Sequence, residues 1–227
     1  MNTAHDFRIL VAENAIARLE KILRQKGLPY PHRKEKALDI LSKIRSNLMA
    51  VKYSFMSSNL LLTYPPLKEI PKQTMELARE IAPPKMFKPK SIGEKHLLSE
   101  MKYCLRVLAG LPLRIRLGDE NKPEYAVDIL AVEIFSIMKH PKASNLKITK
   151  AGTEKEGFTI ITNIQNLRKG EIRAAAILPP IVLFDELSDA MYCSEPLPKE
   201  LKGKRPPSSM IHSKEISTKI EEILRAK

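Results

Sequence analysis

Side chains able to carry chemistry are few in this chain and widely spaced. His5, His32, His96, His140 and His212 are scattered without the spacing of a metal-ligand motif. The two cysteines, Cys104 and Cys193, make neither a zinc site nor a disulfide framework and read as buried small hydrophobes. Asp185, Glu186 and Asp189 cluster, but in a loop they face solvent rather than share a proton. There is no Gly-x-x-x-x-Gly-Lys, Gly-x-Ser-x-Gly, His-Glu-x-x-His or Cys-x-x-Cys. The expectation is a non-enzymatic protein with no cofactor and no metal, whose chemistry is binding. One stretch stands out for it: Lys139-His140-Pro141-Lys142-Ala143-Ser144-Asn145-Leu146-Lys147-Ile148. Pro141 has no amide hydrogen for a ladder, and Ser144 and Asn145 favour a turn, so this stretch separates two strands.

His140-Pro141-x-Ala143-x-x-Leu146 after an apolar strand resembles the signature of tRNA-binding OB domains. These are the modules appended to some methionyl-tRNA synthetases, to the cytokine-like subunit of the multisynthetase complex and to the phenylalanyl-tRNA synthetase β subunit. Val127-Asp128-Ile129 stands where that family opens its first strand with apolar-Asp-apolar. Thr159-Ile160-Ile161-Thr162-Asn163-Ile164 is similar to its Thr-Val-Val-Ser-Gly-Leu. Leu187-Ser188-Asp189-Ala190-Met191 with Tyr192-Cys193-Ser194 is similar to its closing Ser-Gln-Ala-Met and Cys-Ala-Ser. The likeness covers residues 127–195, with its motifs in the family's order.

The resemblance implies a five-stranded OB barrel that recognises tRNA by shape and backbone, as an accessory to an aminoacyl-tRNA synthetase or a carrier of tRNA or other structured RNA. Carried over by motif, the RNA contacts fall on His140 and Asn145 in the first loop and on Lys147 and Lys150 of the second strand. Asn163 ends the third strand, Arg173 lies on the fourth, and Ser188 and Met191 lie near the close. Lys147, Lys150 and Arg173, as exposed strand cations, would meet phosphates. Pro141, Ala143 and Leu146 set the fold, and Ser188 and Met191 serve either purpose. Three departures from the family pattern bear on RNA contact. Val182-Leu183-Phe184-Asp185-Glu186-Leu187 replaces a basic Lys-x-Arg-Gly segment, Asp189 replaces a Gln, and Asn163 stands where Gly is usual.

The charge is distributed against expectation. The net charge of +13 calls for an anionic partner. Yet residues 127–195 hold eight Lys/Arg against nine Asp/Glu, whereas residues 196–227 carry a net +4 and residues 1–126 a net +10. The stretch that resembles an RNA-binding module is therefore not the basic one. An alternative function follows, a protein-interaction barrel that no longer binds nucleic acid. A DNA-binding regulator lacks a helix-turn-helix.

The elements that must position these residues read as an α+β chain in three parts: a basic, mainly helical domain over 1–125, the OB module over 126–195, and a basic tether with a C-terminal helix over 196–227. The periodicity predicts helices over 7–26, from near Arg33 to at least Val51, over 72–81 and over 92–109. The second helix has a basic face of Lys34, Lys36, Lys43, Arg45 and Lys52. The prolines of Tyr64-Pro65-Pro66 and Ile70-Pro71 predict an extended or looped 58–70. Residues 83–90, rich in proline and lysine, are a stiff spacer or a basic strip with Phe87 as a base platform. Leu113-Arg114-Ile115-Arg116-Leu117 alternates as a strand with a basic outer face. Strands follow over 127–138, 146–150, 157–162, 172–177 and 190–193. Ser213 caps a last helix whose stripe, Ile216, Ile220, Ile223 and Leu224, seeks the barrel, the helical domain or a second copy in a homodimer. No apolar run reaches the roughly 18 residues a membrane span needs, and Met1–Asp6 does not read as a signal peptide. A cytoplasmic protein is expected.

Overall fold

A computed structural model describes residues 1–225. The chain is α+β: a helical N-terminal region, a five-stranded antiparallel sheet and a C-terminal helix. Helix α1 (Phe7–Lys21) starts at Asp6, whose carboxylate accepts from the Arg8 amide at 3.0 Å, an N-cap bond. A π-helical turn (Ile22–Lys26) carries it on, and Gly27 ends it at φ +68°, a conformation glycine adopts without strain. Helix α2 spans Lys34–Lys52 and α5 spans Ile92–Ala109, the latter capped by Ser91.

Two segments differ from their sequence reading. Residues 58–81 form helices α3 (Ser58–Thr63) and α4 (Pro65–Ile81), with no long loop. Pro65 and Pro66 occupy the first turn of α4, where an amide hydrogen would have no partner in any case. Leu67, Ile70, Thr74, Leu77 and Ile81 then bury one stripe, and that packing carries the helix through Pro71. Residues 113–117 are not a strand: Leu111–Ile115 form helix α6, with Leu111, Arg114 and Ile115 buried. Arg114 is turned inward, 3% exposed, because Asp128 receives it at 2.8 Å.

Strands β1 (Ile129–Lys139), β2 (Lys147–Gly152), β3 (Gly157–Thr162), β4 (Ile172–Leu183) and β5 (Glu186–Tyr192) lie in the order β3-β2-β1-β4-β5. The last two are longer than their sequence reading. A register shift in β1 between Ile134 and Ser136 lets its first half pair β4 and its second half pair β2. The outer strands, β3 and β5, approach each other without forming a backbone ladder. Instead the Ile161 amide donates to Ser188 Oγ at 3.1 Å, and the Thr159 amide to Asp189 Oδ2 at 3.2 Å.

A continuous hydrophobic core runs from the helices into the sheet. Helix α5 lies over β4 and β5, where His96 Nε2 donates to Pro180 O at 3.0 Å. Helix α7 (Ser213–Arg225) packs on α1 and the 3₁₀ turn at Pro123–Tyr125, burying Ile216 and Ile220. Its apolar stripe thus finds a partner within the same chain. The tether before it is pinned as well: the Gly203 amide donates to Ala131 O at 2.8 Å and Arg205 donates to Glu124 O at 2.7 Å.

Gly152 closes the β2–β3 hairpin opposite Gly157. A Cβ there would lie 2.2 Å from Glu156 O and 2.9 Å from Gly157 Cα, both rigid backbone. Gly152→Ala is expected to cost about 1–3 kcal/mol as overpacking, read in a thermal melt as a Tm lower by roughly 3–10 °C.

Candidate nucleic-acid interface

Three connections meet at one end of the sheet: the β1–β2 loop, the turn after β3 and the β4–β5 hairpin. The His140 amide donates to Leu146 O at 3.0 Å, which closes the first loop. His140 itself is 4% exposed. Its Nδ1 accepts from the Lys142 amide at 3.1 Å, so Nε2 carries the proton and donates to Leu183 O at 3.3 Å. The imidazole therefore ties the first loop to the hairpin and is not presented to a ligand. Lys142 pairs with Asp185 across the same junction, and its ammonium holds the Asp185 carboxyl below the usual carboxylate range.

Gln165 makes the second tie. Its Nε2 donates to Asn145 O at 3.0 Å and to Asn163 O at 2.8 Å, while Lys147 Nζ donates to Gln165 O. Asn145 and Asn163 are exposed, with side-chain amides bordering a cavity of about 590 Å³. Gln165, Asn166, Met191 and Arg173 also line it. Amides of this kind offer a donor and an acceptor each, the functions a base edge or ribose hydroxyl reads. Lys139 lies directly opposite Lys147 in the β1–β2 register, and among the described residues neither has a carboxylate within salt-bridge range. Like charges directly opposite on neighbouring strands repel; an anion between them would relieve that repulsion.

Other expected contacts are placed differently. Arg173 is 5% exposed, pairs with Glu171 and donates to Ser194 O at 2.8 Å. It is not an exposed strand cation: its guanidinium is turned in to Glu171 and the Ser194 carbonyl. Ser188, 4% exposed, serves the β3–β5 approach, and Met191 is half-buried in the cavity wall. Lys150 is exposed and donates to Thr159 Oγ1 at 2.6 Å. Asp189 is half-buried and accepts from Ser99 and from the Thr159 amide. Phe87 is half-buried, its ring packed edge-on to Tyr30 at 5.0 Å.

Most of the basic face of α2 is spent on ion pairs. Lys36 meets Glu80, Lys43 meets Asp39, Arg45 meets Glu20 and Lys52 meets Glu13. On α5 the balance differs. Lys95, Ser99, Lys102 and Arg106 share one helical face and line a cleft of about 520 Å³ against β3 and β5. Arg106 is committed to Asp128 and Glu156, whereas Lys95 and Lys102 are exposed and lack a carboxylate partner among the described residues. The sequence reading missed these two, although their seven-residue spacing on a helix was visible. It missed Lys139 because register is needed to set it against Lys147.

A family model described as an alpha helical domain matches residues 1–118. The chain belongs to that family. The alpha helical domain so defined spans α1 to α6 and contributes the Lys95–Lys102 side of the cleft, while the sheet supplies the other side. No curated protein matches the chain. Among the described residues no helix is long and apolar enough to cross a membrane, and no group of three or more His, Cys, Asp or Glu is placed to hold a metal ion.

Proposed function

We propose that the chain is a non-catalytic RNA-binding protein of the tRNA-binding OB type, with tRNA as its ligand and an aminoacyl-tRNA synthetase as the enzyme it assists. The observation that carries this reading is the Lys139–Lys147 pair at the base of the β1–β2 loop, next in sequence to a cavity wall that holds Asn145, Asn163, Gln165 and Asn166 together with Glu195 and Glu215. The fold lends support: OB domains are partly open five-stranded barrels that bind oligonucleotides on strands 2 and 3 and on the loops joining strands 1–2 and 4–5. Here β3 and β5 approach through side chains, and the β1–β2 and β4–β5 connections meet at the cavity end. The near-neutral sheet is compensated by the alpha helical domain, with Lys95 and Lys102 on α5 and Lys88 and Lys90 ahead of it.

The test is binding of fluorescently labelled tRNA to the full chain at stepped salt concentrations. The expected result is a steep fall of log K with log salt, since each neutralised phosphate releases counterions. Lys139→Gln with Lys147→Gln should lower the slope by about 2, one unit per lysine. Binding with no salt dependence, or a slope the pair does not change, refutes the assignment. A chain that binds no RNA favours the second reading, a protein-interaction module. The net −1 charge of residues 127–195 and the Lys142–Asp185 pairing point toward that reading.

A further inference from the structure

The tip of the β4–β5 hairpin is Phe184-Asp185, with φ +49° and +70°. Two positive φ values in a two-residue loop are the type I′ pattern, where Asn and Gly are the relaxed choices. A bulky ring in the first position is an outlier, and strain kept at one position motivates a search for function there. The ring is 57% exposed, so burial does not account for it. Yet its position is fixed. His140 packs edge-on at 5.7 Å, its Nε2 holds Leu183 O, and the Lys142–Asp185 pair locks the other side of the turn. Lys139, exposed, ends β1 next to His140, and Lys142 pairs with Asp185 at the tip. An aromatic ring held rigid in solvent next to cations is what an unpaired base needs for stacking.

We propose that Phe184 is a stacking platform for one unpaired nucleobase of the bound RNA, a proposal that rests on the RNA-binding reading above. Lys139, which has no carboxylate partner among the described residues, is the cation left for a flanking phosphate, and the turn places the ring before any ligand arrives, so little ordering cost falls on binding.

The chain contains no tryptophan, so Phe184→Trp installs a single indole at the platform. Labelled tRNA reports binding by anisotropy while indole emission reports stacking in the same titration. Phe55→Trp, at the other exposed phenylalanine with positive φ, is the control. The expected result is quenching of the Phe184→Trp emission with the binding isotherm and no matching change at position 55. Phe184→Ala should weaken tRNA binding roughly 5- to 150-fold, the span of one base–aromatic stack, with Phe184→Tyr restoring it. If tRNA binds the parent chain but position 184 emission is unchanged, or changes no more than position 55, the platform is overturned while RNA binding stands. If the parent chain binds no tRNA, the RNA-binding reading fails and takes this proposal with it.

Discussion

Asp128→Ala is expected to lower the unfolding free energy by about 3 kcal/mol, the low end of the cost of removing one partner from a buried ion pair. Asp128 receives Arg106 Nε at 2.6 Å and Arg114 Nη1 at 2.8 Å; Arg106 keeps Glu156 when Asp128 is lost, so the cation stranded at the junction of helices and sheet is Arg114. Arg114 is 3% exposed and has no water to turn to; Asp128 is about a quarter exposed, which keeps the cost at the low end. Burial alone would raise the Asp128 carboxyl, but Arg114 and Arg106 outweigh it and the group lies below the usual carboxylate range. A carboxyl depressed in the folded state contributes stability above its unfolded pKa of about 3.9. That contribution is lost as pH falls through the lower folded value. Urea melts from pH 7 to pH 2 should therefore show a constant gap between parent and variant down to about pH 4, closing below it. A gap that stays constant to pH 2 would show that the carboxylate charge is not what binds the junction.

Arg8→Met should cost more, about 3–5 kcal/mol. Arg8 and Asp6 are each 1% exposed and joined in a bidentate pair, with Nε–Oδ1 at 2.8 Å and Nη2–Oδ2 at 2.7 Å. Arg8 Nη1 also donates to Gly118 O at 2.7 Å and Arg114 O at 3.2 Å, tying α1 to the end of α6. The single substitution leaves a buried carboxylate facing carbonyl oxygens that have lost their donor. Adding Asp6→Asn, which keeps the N-cap acceptor, removes the stranded charge and should recover part of the loss. Denaturant melts of the two singles and the double give the coupling directly. Additive effects would mean that the pair does not act as a unit.

Helix α5 was legible because a 3.6-residue apolar stripe runs up to Gly110, where it ends. Strand β3, over 157–162, was legible too, as was the break at Pro141. Helix α4 was hidden by its prolines, which as breakers argue for a loop and as first-turn residues argue for a helix; only burial of the Leu67–Ile81 stripe decides. Leu113–Leu117 fits a period of two as well as the helical spacing of Leu111, Arg114 and Ile115, and the strand reading lost to Asp128, distant in sequence. The candidate site was legible in its polar loop residues, Asn145 and Asn163. It was not legible in Arg173 and His140, whose types suggest exposure. What buries them is a backbone oxygen supplied by another strand or its end, Ser194 O and Leu183 O, which no local pattern announces.

The side-chain bonds from Ser188 and Asp189 to the β3 backbone have a consequence for how this protein keeps company in solution. A sheet that stops at two edges presents two rows of amide hydrogens and carbonyls on which a second chain can template. In this chain each outer strand faces the other, and the β3 amides of Thr159 and Ile161 are already occupied by β5 side chains. The β3 border is therefore not left as an open strip for an incoming strand. On that border, association through the backbone gives way to association through side chains such as the exposed phenylalanine at the hairpin tip.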